Sequence, residues 1–267
     1  MMSKKHFIAA LCAALSFGVA VASEAPAKPP SILWVGNSLF YYNNSMHNHL
    51  GKLLGGALPA ATRKGIRNTS VTISGGRLGW HNVDFYLTPG VIGATVGENN
   101  ELTEAPDRGF DIVLMADCTI CPVDPRTRDE FHAMVRKHSE SARKHGVQPA
   151  LFMTWAYSDK PEMTPILAAE YSKAGRDNDA VVVPAGLAFA KSVAGRPDLR
   201  LVVDDRRHPT VAGSYLGACV ILATLYGINP VGNKARSGLA DADAAYLQQV
   251  AWETVTEFRA QSAGRGR

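Results

Sequence analysis

Ser31-Ile32-Leu33-Trp34-Val35 runs into Gly36-Asn37-Ser38-Leu39-Phe40, and that junction decides the fold. The first half is apolar without alternation, as a strand covered on both faces is. A glycine ends it, and a serine follows where a helix can begin. Residues 70–74, 111–115, 150–154 and 180–183 read as buried strands in the same way. Between and after them apolar residues recur at helical spacing, over 46–54, 126–145, 163–174, 185–194, 211–226 and 239–261. Pro125 and Gly146 bracket the second helix as a start and a stop. Alternating strands and helices predict an α/β fold, a three-layer α/β/α sandwich around a parallel sheet. Ligands of such sheets sit beyond the carboxyl ends of the strands, so chemistry is expected just after Val35, Ser74, Met115 and Thr154.

Ser38 stands at the first of these ends. A serine there can present its hydroxyl at the sheet rim, with its own N–H aimed at a developing oxyanion. Capping serines at strand–glycine–helix junctions are common, so Gly36-Asn37-Ser38 alone does not mark a nucleophile. A second element does more. Asp204-Asp205-Arg206-Arg207-His208-Pro209 opens a late helix, with Asp205 and His208 three residues apart. A carboxylate at that spacing can hold the imidazole Nδ1–H and leave Nε2 to take a serine proton. The order Ser…Asp-x-x-His is more specific than either half.

These segments carry a family resemblance. Ile32-Leu33-Trp34-Val35-Gly36-Asn37-Ser38 resembles the first block of the SGNH/GDSL hydrolases, with Asn37 where aspartate is usual. Asp205-Arg206-Arg207-His208-Pro209, followed by Ala212-Gly213, looks like their last block. Ser74-Gly75-Gly76 is similar to the second, whose glycine N–H serves the oxyanion hole; that glycine is Gly75, with Gly76 one residue off as the alternative. The resemblance spans Ile32 to Gly213 and is strongest to a bacterial subgroup with the same G-N-S block. It implies a flavodoxin-like, five-stranded sheet and hydrolysis of esters, often acetyl or acyl groups on sugars. The implied triad is Ser38, His208 and Asp205, with Ser38 and Gly75 forming the oxyanion hole.

One block departs. The family's third strand usually ends in an asparagine or polar equivalent that completes the oxyanion hole. Here it ends Leu114-Met115-Ala116-Asp117-Cys118-Thr119, and an ionised Asp117 would repel an oxyanion. Either Asn37 or Asn82 substitutes, or Asp117 is protonated, or the enzyme is slow. Asp117 could instead serve structure by accepting N–H bonds in the 118–121 loop. Asn37, Trp80, Asp117 and Trp155 are the expected substrate-binding residues. His81 and Tyr157 could share the cleft, packing being the alternative. A catalytically impaired member that binds a glycan or a protein is the rival function.

The remaining sequence bounds the setting. With 46% hydrophobic and 19% charged residues, the chain has a globular composition. Lys4-Lys5, an apolar run from Phe7 and Ala20-Val21-Ala22 predict a signal peptide over 1–22 and hence export to the periplasm or medium. A proline-rich linker over 23–30 and one domain over 31–262 follow. Cleavage removes two of the 28 basic residues and none of the 24 acidic, leaving a net charge of +2. That balance gives no reason to expect nucleic acid or stable membrane insertion. Cys118-x-x-Cys121 has two nearby prolines and no second Cys/His pair, so a local disulfide or buried thiols are expected rather than redox chemistry or a metal. No cofactor is expected. His47 and His49, two apart on a helix, are expected to be solvated.

Overall fold

The computed structural model describes residues 29–92, 94–96, 102–104 and 109–264, with the backbone alone at 94–96 and 102–104. The expected signal peptide, 1–22, and residues 23–28 of the expected linker lie outside the described residues. In chain order the elements begin with β1 (Ile32–Gly36), α1 (Ser38–Tyr41), α2 (Met46–Ala57), α3 (Ala60–Arg63) and β2 (Asn68–Thr72). A single 3-10 turn (Leu78–Trp80), α4 (Val83–Leu87), β3 (Ala94–Val96), β4 (Leu102–Glu104) and β5 (Ile112–Met115) follow. Then come α5 (Pro125–Lys144), β6 (Gln148–Phe152), α6 (Met163–Asp177) and β7 (Val181–Val183). The chain ends on α7 (Ala185–Gly195), α8 (Val211–Leu225) and α9 (Asp241–Gly264).

Five strands pair in parallel in the order β2-β1-β5-β6-β7, while β3 and β4 form a separate antiparallel pair. The strand order is that of flavodoxin-like sheets, with the switch point between β1 and β5. Alternate residues explain why the strands read as unbroken apolar runs. Ile32, Trp34, Leu114 and Phe152 face one core beneath α2, α7, α8 and α9. Leu33, Val35, Val113 and Leu151 face a second core beneath α5 and α6. Helix α8 carries no charge, and every residue from Ala212 to Ala223 is buried, so it is a core helix rather than an amphipathic one. Helix α5 is conventional: the Asp124 side chain accepts from Arg126 N–H, and Pro125 occupies the first turn. Among the described residues no helix is long and apolar enough to cross a membrane.

Three expectations shift. β2 begins two residues earlier than 70–74 and is only half-buried, because it is an edge strand. β6 begins at Gln148, ahead of the expected Ala150. Pro149 is tolerated there because β7 pairs only from Ala150 onward. His49 is not solvated: it is buried, with Nδ1 2.7 Å from Ser237 Oγ and Nε2 2.8 Å from the Asn43 carbonyl. His47 is half-buried between the hydroxyls of Ser45 and Ser70 and sits against Trp34.

Candidate active site

The loop after β1 is built around Asn37. Its Oδ1 accepts the Leu39 N–H at 3.1 Å, capping α1, and its Nδ2 donates to the Gly76 carbonyl at 3.1 Å. Both ends of this amide are therefore engaged. They tie the serine loop to the loop after β2. Ser38, the first residue of α1, keeps an N–H with no acceptor among the described residues, as first-turn amides do. Gly75 has φ +65°, a left-handed conformation that glycine adopts without strain, and its N–H also has no acceptor. Gly76 N–H is committed to the Ile73 carbonyl at 2.9 Å, which separates the two glycines: Gly75 has the free donor.

His208 arrives on a tight loop between α7 and α8. Val203 N–H donates to the His208 carbonyl and Thr210 N–H to the Leu201 carbonyl, both at 2.9 Å. Gly213 lets α8 lie against this loop, since a Cβ there would meet the Leu201 carbonyl oxygen at 2.2 Å. Asp205 folds back over it. One oxygen accepts the backbone N–H groups of Arg207 and His208 at 2.9 Å each, and the other lies 2.5 Å from His208 Nδ1. Desolvation opposes ionisation of Asp205, but these bonds outweigh it and hold its pKa at about 2. An ionised carboxylate can only accept, so Nδ1 carries the hydrogen and Nε2 is left as the acceptor. Nε2 lies 2.8 Å from Ser38 Oγ.

Two further residues, Tyr42 and Asn43, fix the histidine loop and its imidazole. The Tyr42 ring stacks on it at 4.1 Å, with 5° between planes. Asn43 Nδ2 donates to the Pro209 carbonyl at 2.8 Å and to Ser214 Oγ at 2.9 Å. Asn43, Asn44 and Ser45 all have positive φ, between 53° and 66°, a costly run for non-glycine residues. The Asn43-Asn44 pair is a recognisable signal for such a turn.

The third strand end carries Asp117, which does not line the cleft. It is 3% exposed, and Oδ1 accepts the N–H groups of Leu78 at 3.0 Å and Cys118 at 2.7 Å. Its expected substrate contact gives way to the structural alternative, because the carboxylate fastens the loop after β2 to the loop after β5. Burial raises its pKa to about 6, against the lowering effect of the two N–H bonds. Cys118 and Cys121 form a disulfide, closing this loop, while Cys219 is free and buried. Thr119 lies next to them at the cleft surface. The residue is 5% exposed, and its hydroxyl has no protein partner among the described residues.

These loops enclose a cleft of about 420 Å³ around Ser38, Gly75, Thr119, Tyr157 and His208. Two expected wall residues are elsewhere. Trp155 is 1% exposed, stacks on Phe189 at 4.1 Å and donates Nε1–H to the Arg207 carbonyl at 2.9 Å, so it supports the histidine loop from the core. Trp80 is 59% exposed on the 3-10 turn and outside the cleft. His81 is buried below, with Nε2 2.9 Å from the Gly36 carbonyl; burial lowers its pKa. Asn82 is committed to capping α4 through Phe85 N–H. A second hollow of about 370 Å³, between α6, β7 and α9, holds no hydrogen-bonded nucleophile and base.

No protein-family profile and no curated protein matches the chain. Solved structures do. A protein from Slackia heliotrinireducens, described as "a putative SGNH hydrolase", is 25% identical over 74% of this chain and 99% of its own, with a TM-score of 0.54. A DUF4886 family protein from Bacteroides uniformis is 17% identical over 86% of this chain and 95% of its own, at 0.59. A catalytic mutant of Axe2, an acetylxylan esterase from Geobacillus stearothermophilus, is 15% identical over 78% and 99%, at 0.55. The fold is that of the SGNH/GDSL hydrolases.

The buried Asp117 has a consequence for stability. Its pKa rises from 3.8 to about 6 on folding, so the native state binds a proton more tightly than the unfolded chain. Stability is therefore lost as pH rises through that interval, on the order of 3 kcal/mol at full effect. Asp117→Asn cannot titrate but keeps an oxygen for both N–H groups. Urea unfolding of the two proteins from about pH 4 to pH 7 should show wild type losing ground to the variant as pH rises. A difference that does not change with pH would contradict this.

Proposed function

We propose that the protein is an exported serine esterase in which Ser38 is the nucleophile, His208 the general base and Asp205 its orienting carboxylate. The observation that carries this reading is one hydrogen-bonded chain, Asp205 to His208 to Ser38, opening on a cleft where two N–H groups lack acceptors. His208 Nε2 takes the Ser38 hydroxyl proton as Oγ attacks the ester carbonyl carbon. The carbonyl π electrons move to oxygen, and the N–H groups of Ser38 and Gly75 hold that charge. His208 then gives its proton to the departing alcohol, leaving an acyl-Ser38. A water, deprotonated by His208, releases the acid and restores the serine.

Thr119 is our candidate for the third donor, in place of the amide missing from the third strand end. Asn37 and Asp117 are committed to joining loops, and Asn82 caps α4 away from the cleft, whereas the Thr119 hydroxyl is at the cleft and has no protein partner among the described residues. That weakens the rival reading of a non-catalytic binder, which rested on the missing amide. An acetylated or acylated carbohydrate remains the proposed substrate class, by analogy with the acetylxylan esterase of the same fold.

Hydrolysis of 4-nitrophenyl acetate tests the roles. Ser38→Ala and His208→Ala should lower kcat by about four to six orders of magnitude, and Asp205→Asn by less, because the three act as a unit. Full activity of the folded Ser38→Ala protein would end this reading. Thr119→Val should lower kcat on the order of 100-fold with little change in KM, and Thr119→Ser should restore most of it. An unchanged kcat in Thr119→Val would remove Thr119 from the oxyanion hole.

Export has its own support. The Cys118–Cys121 bond is of a kind that persists outside the reducing cytoplasm. N-terminal sequencing of the native protein should read from Ser23; a mature chain beginning at Met1 would refute export by cleavage.

A further inference from the structure

Charges in the run Asp204-Asp205-Arg206-Arg207-His208 are matched with one exception. Asp204 pairs with Arg200 at 2.5 Å, Asp205 with His208, and Arg206 with Asp159 at 2.9 Å. Arg207 makes no ion pair among the described residues, although it lines the cleft beside His208. Its backbone is held on both sides: the N–H donates to Asp205 Oδ1, and the carbonyl accepts from the buried Trp155 indole, each at 2.9 Å. Its guanidinium lies over the Tyr157 ring, 4.9 Å from the centroid. Stacking on an aromatic face restrains a long side chain without using its hydrogen-bond donors.

The rest of the cleft wall adds no negative charge. Arg77 also lines it, and its nearest carboxylate partner, Glu130, is 3.4 Å away, with both side chains nearly half exposed. No aspartate or glutamate is among the residues that line the cleft. Asp205, just behind His208, has both oxygens occupied. A neutral ester would leave this restrained arginine unused. An anionic oxygen group would meet a planar fork of donors that fits carboxylate and phosphate alike.

We propose that the substrate is an ester on a compound carrying a carboxylate or a phosphate near the scissile bond, bound by the Arg207 guanidinium with Arg77 as a weaker second contact. This rests on the esterase reading and adds the class of substrate to it. In such a complex Arg207 sets specificity, while Ser38 and His208 carry the chemistry. No new bond is made or broken by Arg207.

Three acetylated methyl glucosides separate the cases: one with a free 6-hydroxyl, the corresponding glucuronide, and the corresponding 6-phosphate. At low salt, at least one charged ester should show a kcat/KM about 10-fold or more above the neutral one, the size of one hydrogen-bonded charge pair. The carboxylate and phosphate arms identify which anion the site takes. Arg207→Ala should bring the charged-to-neutral ratio toward 1, Arg207→Lys should keep part of it, and added salt should narrow it in wild type. The ratio is internally normalised, so a general loss of activity in a variant does not imitate the effect. No preference for either charged ester, on a protein that hydrolyses 4-nitrophenyl acetate, overturns this inference and leaves the esterase reading standing. A preference that survives Arg207→Ala also overturns it. Turnover of no ester at all removes both.

Discussion

Ser38 Oγ and His208 Nε2 are 170 residues apart in the chain and 2.8 Å apart in space, and the surrounding structure serves to hold that hydrogen bond. A parallel sheet makes the approach possible. With every strand running the same way, the loops after β1, β2, β5 and β6 emerge on one rim, and β1 sits at the switch point where two of them diverge. The histidine comes from outside the sheet and has to be carried to this rim. Its loop is fastened by the Trp155 indole, by Asn43 reaching the Pro209 carbonyl and by Asp205 folding back on its own backbone. The strained turn at Asn43 to Ser45 is maintained by the same contacts, with His49 close to the Asn43 carbonyl from below.

The buried polar groups around the cleft divide into those already spent and those left open. Asn37 and Asp117 look like binding residues by type, but Asn37 has used its donor and Asp117 its acceptor to join neighbouring loops. The open groups are the N–H of Ser38, the N–H of Gly75 and the hydroxyl of Thr119, all at the cleft. Donors left without a protein partner are free to meet a ligand or solvent, and these three cluster beside the Ser38 hydroxyl. The disulfide and the Asp117 carboxylate keep the Thr119 loop in place, linking its geometry to the loop after β2.

Much of this was legible in the sequence, and the part that was not has a physical reason. Unbroken apolar runs at 31–35 and 111–115 identified parallel strands because both faces of β1 and β5 are covered. The edge strand β2 was displaced by two residues because its residues answer to solvent on one side. Ser38, Asp205 and His208 could be singled out because their chemistry needs particular residue types at particular spacings. Tyr42 and Thr119 could not, since a stacking ring and an unpartnered hydroxyl are recognised only by what surrounds them. Trp155 failed as a wall residue for the same reason: its indole reaches the histidine loop from inside the core, and no local pattern announces that direction.

The most direct measurement is the site of covalent capture by a fluorophosphonate, read by peptide mass spectrometry on the intact, disulfide-bonded protein. One adduct per chain, on the peptide containing Ser38 and sharply reduced in His208→Ala, is the result expected of a serine activated by that imidazole. A protein that remains unlabelled while folded, or an adduct on any residue other than Ser38, would contradict it.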